Sequence, residues 1–100
     1  MKSNVTLRIK RVYFDQILNG SKKVEYRAVK PFYERLFRDV SSIKTLTLHY
    51  QQERKLIADI VSIKRMPLPK EFDNDPDRFD FGNECFAIRV KNVRLIRGRK

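Results

Sequence analysis

The structure of this 100-residue chain depends most on the segment Gly20-Ser21-Lys22-Lys23-Val24-Glu25-Tyr26-Arg27. Asn19-Gly20 is typical of a helix end, and Phe14 and Ile17 before it recur at helical spacing. From 23 to 29 the pattern changes to that of a strand. One acid and three bases therefore lie where a helix passes into a strand. Such charges are costly to bury unless they are paired or bind a ligand.

The rest of the chain alternates in a way that predicts four more strands and a second helix. Apolar and polar residues alternate over 5–9, which indicates a first strand. Pro31 suits the first position of a short second helix. Three further strands are expected over about 45–50, 56–64 and 85–96, because each holds a run of β-branched or alternating apolar residues.

The last of these strands changes the phase of its apolar residues at Lys91-Asn92. A β-bulge explains such a change, and bulges help to curve small barrels. The predicted fold class is therefore α+β, with a small, partly open five-stranded β-barrel and two short helices; an α+β sandwich is the main alternative. One hundred residues fit one domain, 1–100.

Composition favours a globular protein of the cytoplasm. Hydrophobic residues make up 41% of the chain, and no apolar run approaches the roughly 18 residues that a membrane helix needs. The N-terminus, 1–4, lacks the apolar core of a signal peptide. The single cysteine, Cys85, excludes an intrachain disulfide and is expected to be a small buried residue rather than a nucleophile.

The net charge of +11 is unevenly distributed. Segment 71–84 holds six acidic residues against one arginine, a net charge of −5, which leaves +16 for the rest of the chain. This surplus favours a polyanionic partner, because neutralised phosphates release condensed counterions. Solubility is the alternative explanation.

The motif Gly20-x-Lys22-x-x-Glu25-x-Arg27, after a helix over 13–19, resembles the signature of the ASCH (activating-signal-cointegrator homology) domain family. The resemblance covers nearly the whole chain through Leu7-x-Ile9-Lys10, Leu48-His49-Tyr50, Ile57-Ala58-Asp59-Ile60 and Phe86-Ala87-Ile88. It implies a PUA-like β-barrel. It also implies a cleft between the helices and the barrel mouth that binds RNA or a modified nucleotide.

The chain departs from the family pattern at two positions. Arg8 stands where a serine is common, and Arg11 where a proline is common, so the first strand is more basic here. Some members are hydrolases, either ribonucleases or an amidohydrolase that acts on acetylated cytidine. The amidohydrolase branch has a threonine at the position of Glu25, so its acyl chemistry is not carried over to this chain.

Three residues of the motif are the main binding candidates. Lys22, at the turn, is either a phosphate contact or a solvated lysine. Glu25 and Arg27 are two apart on a strand and share one face. They either form an ion pair that holds the strand, or bind the ligand, with Glu25 accepting from a base amino group and Arg27 contacting a phosphate or stacking. Both roles can hold together.

Residues in and near the motif are expected either to extend this binding site or to pack in the core. Val24 and Tyr26 alternate with the charged pair and are expected to pack in the core. Tyr50, at a strand end, either stacks on a base or packs in the core. Arg8 and Lys10 lie on the polar face of the first strand and would extend the basic surface.

Three functions follow from these residues. The leading one is an RNA- or nucleotide-binding module. The second is a hydrolase acting on RNA or a modified nucleoside, with Lys22 stabilising the developing anion and Glu25, helped by Tyr50, as general base. The third is a protein-interaction module of transcription or translation, in which segment 71–84 docks onto a basic partner or covers the basic cleft. No zinc-ligand spacing, phosphate loop or dinucleotide fingerprint occurs, so no cofactor or metal is expected, and the lack of a long apolar run predicts no membrane partner.

Overall fold

A computed structural model of the protein describes residues 3–51, 54–72 and 82–97. Within them the elements follow the predicted order of strand, helix, strand, helix and three strands. The elements are β1 (Asn4–Arg8), α1 (Arg11–Asn19), β2 (Val24–Ala28), α2 (Pro31–Leu36), β3 (Thr45–Gln51), β4 (Arg54–Pro67) and β5 (Glu84–Arg97). Short 3-10 turns lie at Val40–Ser42 and Lys70–Phe72. Most of the acidic segment, 73–81, lies outside the described residues.

The strands form one mixed sheet in the order β1-β3-β4-β5-β2. β1 runs parallel to β3, and the other neighbours are antiparallel. β1 and β2 are thus the two edges of a sheet that curls into a half-barrel. The α+β class and the partly open, barrel-like sheet of five strands are confirmed.

The core fills the concave face of this curled sheet. Val5 and Leu7 of β1 lie opposite Leu46 and Leu48 of β3, and all four side chains are buried. Helix α1 covers this face with Phe14 and Ile17. Burying each leucine-sized side chain contributes about 2 kcal/mol, so the concave face supplies most of the folding free energy. The other buried members of the cluster are Ile9, Phe37, Ile43, Leu56, Ala58, Phe86, Ile88 and Val90.

The predicted bulge in β5 is confirmed. Asn92 and Val93 lie opposite the single residue Ala58 of β4. Asn92 has φ 52°, in the left-handed region that asparagine tolerates better than most residues. Its side-chain amide donates to Asp59 Oδ2 at 2.9 Å, and this hydrogen bond lowers the pKa of Asp59 below its ordinary value. The bulge therefore bends the β4–β5 pair at the position where the apolar residues of β5 change phase.

The expected orientation of β2 is wrong. Glu25 lies opposite Ile88 of β5, which is a core residue, so Glu25 and Arg27 point to the concave face. Val24 and Tyr26 point to the other face and lie outside the core cluster. Alternation along a strand separates two faces without telling which one is inside. Here the charged pair takes the inner face because its members neutralise each other.

Cys85 behaves as its sequence context predicts. It lies in β5 opposite Ala28 and is fully buried. Burial raises the pKa of its thiol, and the neighbouring charge of Glu84 adds to the effect. The thiol stays protonated and packs as a small apolar group.

Candidate functional site

A cleft of about 1270 Å³ opens beside the two edge strands of the half-barrel. Its walls come from the end of β1, from α1, from the turn before β2, from β2 itself and from the start of α2. All six predicted binding residues line it: Arg8, Lys10, Lys22, Glu25, Arg27 and Tyr50. With Tyr50 of β3 and Phe72 of the second 3-10 turn, residues from seven parts of the chain meet in one cleft.

Arg27 connects both edges of the sheet and the second helix. Its Nε donates to Glu25 Oε2 at 3.0 Å, and its Nη2 lies 2.8 Å from the same oxygen. Nη2 also donates to the main-chain carbonyl of Arg8 at 2.8 Å, and Nη1 donates to the hydroxyl of Tyr33 at 3.1 Å. Each guanidinium nitrogen is thus engaged within the protein, and the side chain is only 13% exposed. The predicted ion pair is present, and it leaves Arg27 little capacity for a phosphate.

Glu25 is a buried acid at the floor of the cleft. The residue is 5% exposed. Burial raises the pKa of its carboxyl above the ordinary value, while the charges of Arg27 and Lys22 and hydrogen bonds from Arg27 and the Tyr26 main chain act in the opposite direction. Its Oε1 faces the ammonium of Lys22 at 3.9 Å. The carboxylate therefore stands between two cations in a poorly hydrated position.

The turn after α1 places Lys22 over the cleft. Gly20 adopts φ 88°, which glycine accepts without strain, and its N–H donates to the Ile17 carbonyl at 3.2 Å. The N–H of Lys22 and the hydroxyl of Ser21 both donate to the Gln16 carbonyl, at 3.1 and 3.3 Å. These bonds fix the backbone from which the lysine side chain extends. They also give Ser21 a structural role in the turn.

The ammonium of Lys22 is held by charge and by aromatic rings. It lies 5.4 Å from the ring centroid of Tyr13 and 5.0 Å from that of Tyr26, distances at which a cation is attracted to the ring face. Its distance of 3.9 Å to Glu25 is beyond hydrogen-bond range. Within the described residues the ammonium makes no hydrogen bond, and the side chain is 18% exposed. Its N–H groups are therefore oriented by the protein and available to an anion.

The rim of the cleft is basic and aromatic. Among the described residues that line it, seven are basic and Glu25 is the single acid. Arg11 lies over the ring of Tyr50 at 5.9 Å, and that ring packs edge-on against Phe14 at 4.9 Å. Tyr50 therefore both lines the cleft and supports the core. The remaining basic residues at the rim are Arg8, Lys10, Lys23 and Lys30, all exposed.

Sequence reasoning missed the aromatic part of this lining. Phe32 of α2 is 55% exposed and lines the cleft, as do Tyr13 and Tyr33. A signal was present, because Phe32 and Tyr33 are consecutive in a helix and their side chains diverge by about 100°. Both cannot face the core. One of them had to point to a surface or a site.

Comparison with models of protein families, with curated proteins and with solved structures found no match to this chain. In the described part of the chain, no helix has the length and apolar character needed to cross a membrane. The same residues contain no group of three or more acidic, histidine or cysteine side chains that could hold a metal ion. What the cleft can bind is therefore inferred from its own side chains.

Replacing Arg27 with alanine should lower the free energy of unfolding by about 3 to 5 kcal/mol, because the buried Glu25 then loses its closest partner. Urea denaturation followed by circular dichroism measures this change. Arg11→Ala is the matched control: its ion pair with Asp15 is exposed and spans 3.7 Å, so about 1 kcal/mol or less should be lost.

The double variant Glu25→Gln/Arg27→Ala should lose less stability than the sum of its single changes, since no unpaired charge then remains buried. An Arg27→Ala protein as stable as the Arg11→Ala control would show that the two edges of the sheet do not depend on this guanidinium.

Proposed function

We propose that this protein binds RNA or a nucleotide in the cleft beside its two edge strands. The observation that carries the proposal is the lining: among the described residues, seven basic and six aromatic residues surround a single acid in one open cleft. Basic side chains follow a phosphate backbone, and aromatic rings stack on bases that are not paired in a duplex. The net charge of +11 would draw a polyanion toward this surface.

Lys22 is the central phosphate contact in this proposal. Its ammonium is oriented by two tyrosine rings and by Glu25 without a hydrogen bond among the described residues. A phosphate oxygen would supply the missing acceptor, and such charge-assisted hydrogen bonds are among the stronger polar interactions. Arg8 and Lys10 at the exposed rim would add contacts that do not depend on base identity. Arg27 takes a positioning role instead, because its nitrogens hold the strands together.

Phe32 is the proposed stacking platform for a base. Its ring is the most exposed of the aromatic residues at the cleft and lies edge-on to Tyr33 at 5.0 Å, which limits its movement. A base stacked on such a ring contributes about 1 to 3 kcal/mol. Tyr50 is a second candidate, although Arg11 lies over its ring and would have to move or stack on the base itself.

The resemblance of the Gly20–Arg27 motif to the ASCH family supports the same proposal, because it implies RNA or a modified nucleotide at the mouth of a PUA-like barrel. We propose ASCH-like membership on the motif alone. A cytoplasmic location stays a prediction. So does a protein partner in transcription or translation, since most of segment 71–84 lies outside the described residues.

Lys22→Ala should weaken the binding of short single-stranded RNA by about tenfold or more, because a charge-assisted hydrogen bond of about 1.5 to 3 kcal/mol is lost. The slope of log affinity against log salt should become shallower by about 1 for the phosphate contact that is removed. Fluorescence anisotropy over a salt series measures both quantities.

Two further variants distinguish base stacking and the loss of any positive charge from the loss of the Lys22 phosphate contact. Phe32→Ala should weaken binding without changing the salt slope, since stacking releases no counterion. Lys44→Ala is the matched control, because Lys44 is an exposed lysine outside the cleft lining. An affinity that is independent of salt, or that falls equally for Lys22→Ala and Lys44→Ala, would refute the proposal.

A hydrolase is the second candidate function. The observation that favours it is a buried Glu25 whose pKa is raised by burial and that lies 3.9 Å from a lysine inside a cleft. Perturbed acids of this kind are common in catalytic sites. Glu25 would remove a proton from the attacking group, Lys22 would stabilise the developing anion, and Tyr50 would assist.

Turnover separates this candidate from simple binding. The purified protein, freed of contaminating nucleases, is incubated with RNA and with acylated nucleosides. If the protein is a hydrolase, Glu25→Gln should abolish product formation while RNA binding remains, because the amide cannot accept the proton. Absence of product with the unmodified protein would exclude this function for those substrates and leave the binding module.

A further inference from the structure

The carboxylate of Glu25 lies beside the Lys22 ammonium, at the place where a ligand phosphate would bind. Its Oε1, at 3.9 Å, is the anionic atom that faces the lysine ammonium. Glu25 is also the only acid among the described residues that line the cleft. A phosphate that reaches Lys22 would therefore come close to a carboxylate in a site that is poorly screened by water, and the two negative charges would repel each other strongly.

Arg27 limits how this repulsion can be relieved. Its guanidinium is bonded to Glu25, to the Arg8 carbonyl and to the Tyr33 hydroxyl, so Glu25 cannot swing away without breaking the link between the edge strands. A neutral carboxyl, in contrast, keeps a carbonyl oxygen that still accepts hydrogen bonds from Arg27. Protonation removes the repulsion and leaves the link in place.

We propose that Glu25 is an internal counter-ion that competes with the ligand phosphate for Lys22, so that RNA binding in the cleft is coupled to uptake of one proton by Glu25. This inference rests on the proposed function and adds how the same site is regulated. Affinity rises as the pH falls. The binding-competent form of the cleft is the one in which the acid is neutral.

The groups around Glu25 support proton uptake at this position. Burial raises the pKa of its carboxyl, opposed by Arg27 on the same strand and by Lys22 from the turn. From β1 the Arg8 carbonyl and from α2 the Tyr33 hydroxyl reach it only through Arg27. A phosphate bound to Lys22 partly cancels the attraction between that lysine and the Glu25 carboxylate. The pKa of Glu25 therefore rises further when the phosphate binds.

The sign of the pH dependence follows from these shifts. The complex has a higher pKa at Glu25 than the free protein, so the complex binds more protons. Between the two pKa values, affinity therefore increases as the pH falls, by at most about tenfold per pH unit for one proton. Above both values the affinity is lowest and constant. Below both values it is highest and again constant.

His49 is the main competing explanation, because it is the single histidine and histidine titrates near neutral pH. It lies on β3 opposite Lys55 and Arg8 and does not line the cleft. A variant at this position therefore separates a general increase in positive charge from the specific effect of Glu25.

Calorimetric titration with a short oligouridylate that carries hydroxyl groups at both ends tests the inference. Neither its bases nor its phosphodiesters titrate between about pH 5 and about pH 8, so any proton taken up is taken up by the protein. Runs in two buffers of different ionisation enthalpy give the number of protons. The protein should take up a proton and bind more tightly as the pH falls, and His49→Gln should do the same.

Glu25→Gln should bind about tenfold more tightly than the unmodified protein near neutral pH and show no dependence on pH, since one opposing charge is removed. Glu84→Gln is the matched control, an exposed acid outside the cleft lining that should leave affinity and proton uptake unchanged. Circular dichroism verifies that each variant is folded.

Each outcome has a definite meaning. Binding without proton uptake, or uptake that disappears in His49→Gln, overturns the inference and leaves the proposed function intact. Absence of binding at every pH and salt concentration overturns both. If Glu25→Gln does not fold, the proton count of the unmodified protein and of His49→Gln still decides the question.

Discussion

The hydrogen bonds of the Arg27 guanidinium hold together the two edge strands of this sheet. A five-stranded sheet that curls without closing leaves two edges, and here they belong to β1 and β2. Arg27 joins them by donating to Glu25 on its own strand and to the Arg8 carbonyl on the other edge. It also reaches α2 through Tyr33. Arginine suits this task because its five N–H donors are spread over three separate nitrogens, whereas all three donors of a lysine leave from a single nitrogen.

This link divides the charged residues of the motif between structure and binding. Arg27 and Glu25 neutralise each other on the concave face, next to apolar residues such as Ile88. Lys22 stays at the margin of this pair, oriented by Glu25 and by two rings but without a hydrogen bond among the described residues. A buried ion pair contributes little net stability compared with apolar side chains of the same size, so its presence here is better explained by the position that it gives to Lys22.

The sequence predicts the elements of the fold better than their orientation. The helix end at Gly20, the proline that begins α2 and the bulge at Asn92 each follow from local chemistry, and the structure has all three. The inner face of β2 could not be predicted, because it depends on pairing with β5, more than fifty residues further along the chain. The six candidate residues do meet in one cleft, whereas the sequence does not single out Phe32, because an aromatic residue in a short helix is more often part of the core. Local patterns thus determine the elements, and long-range pairing determines what the cleft contains.

Nuclear magnetic resonance of the side-chain nitrogens tests most directly whether Arg27 holds the fold while Lys22 receives the ligand. The Nε–H signal of Arg27 and the ammonium signal of Lys22 are followed as a short oligouridylate is added. The predicted result is a large shift at Lys22, while the Arg27 signal keeps its position and its protection from exchange with water. A shift and loss of protection at Arg27 with no change at Lys22 would contradict this division of roles.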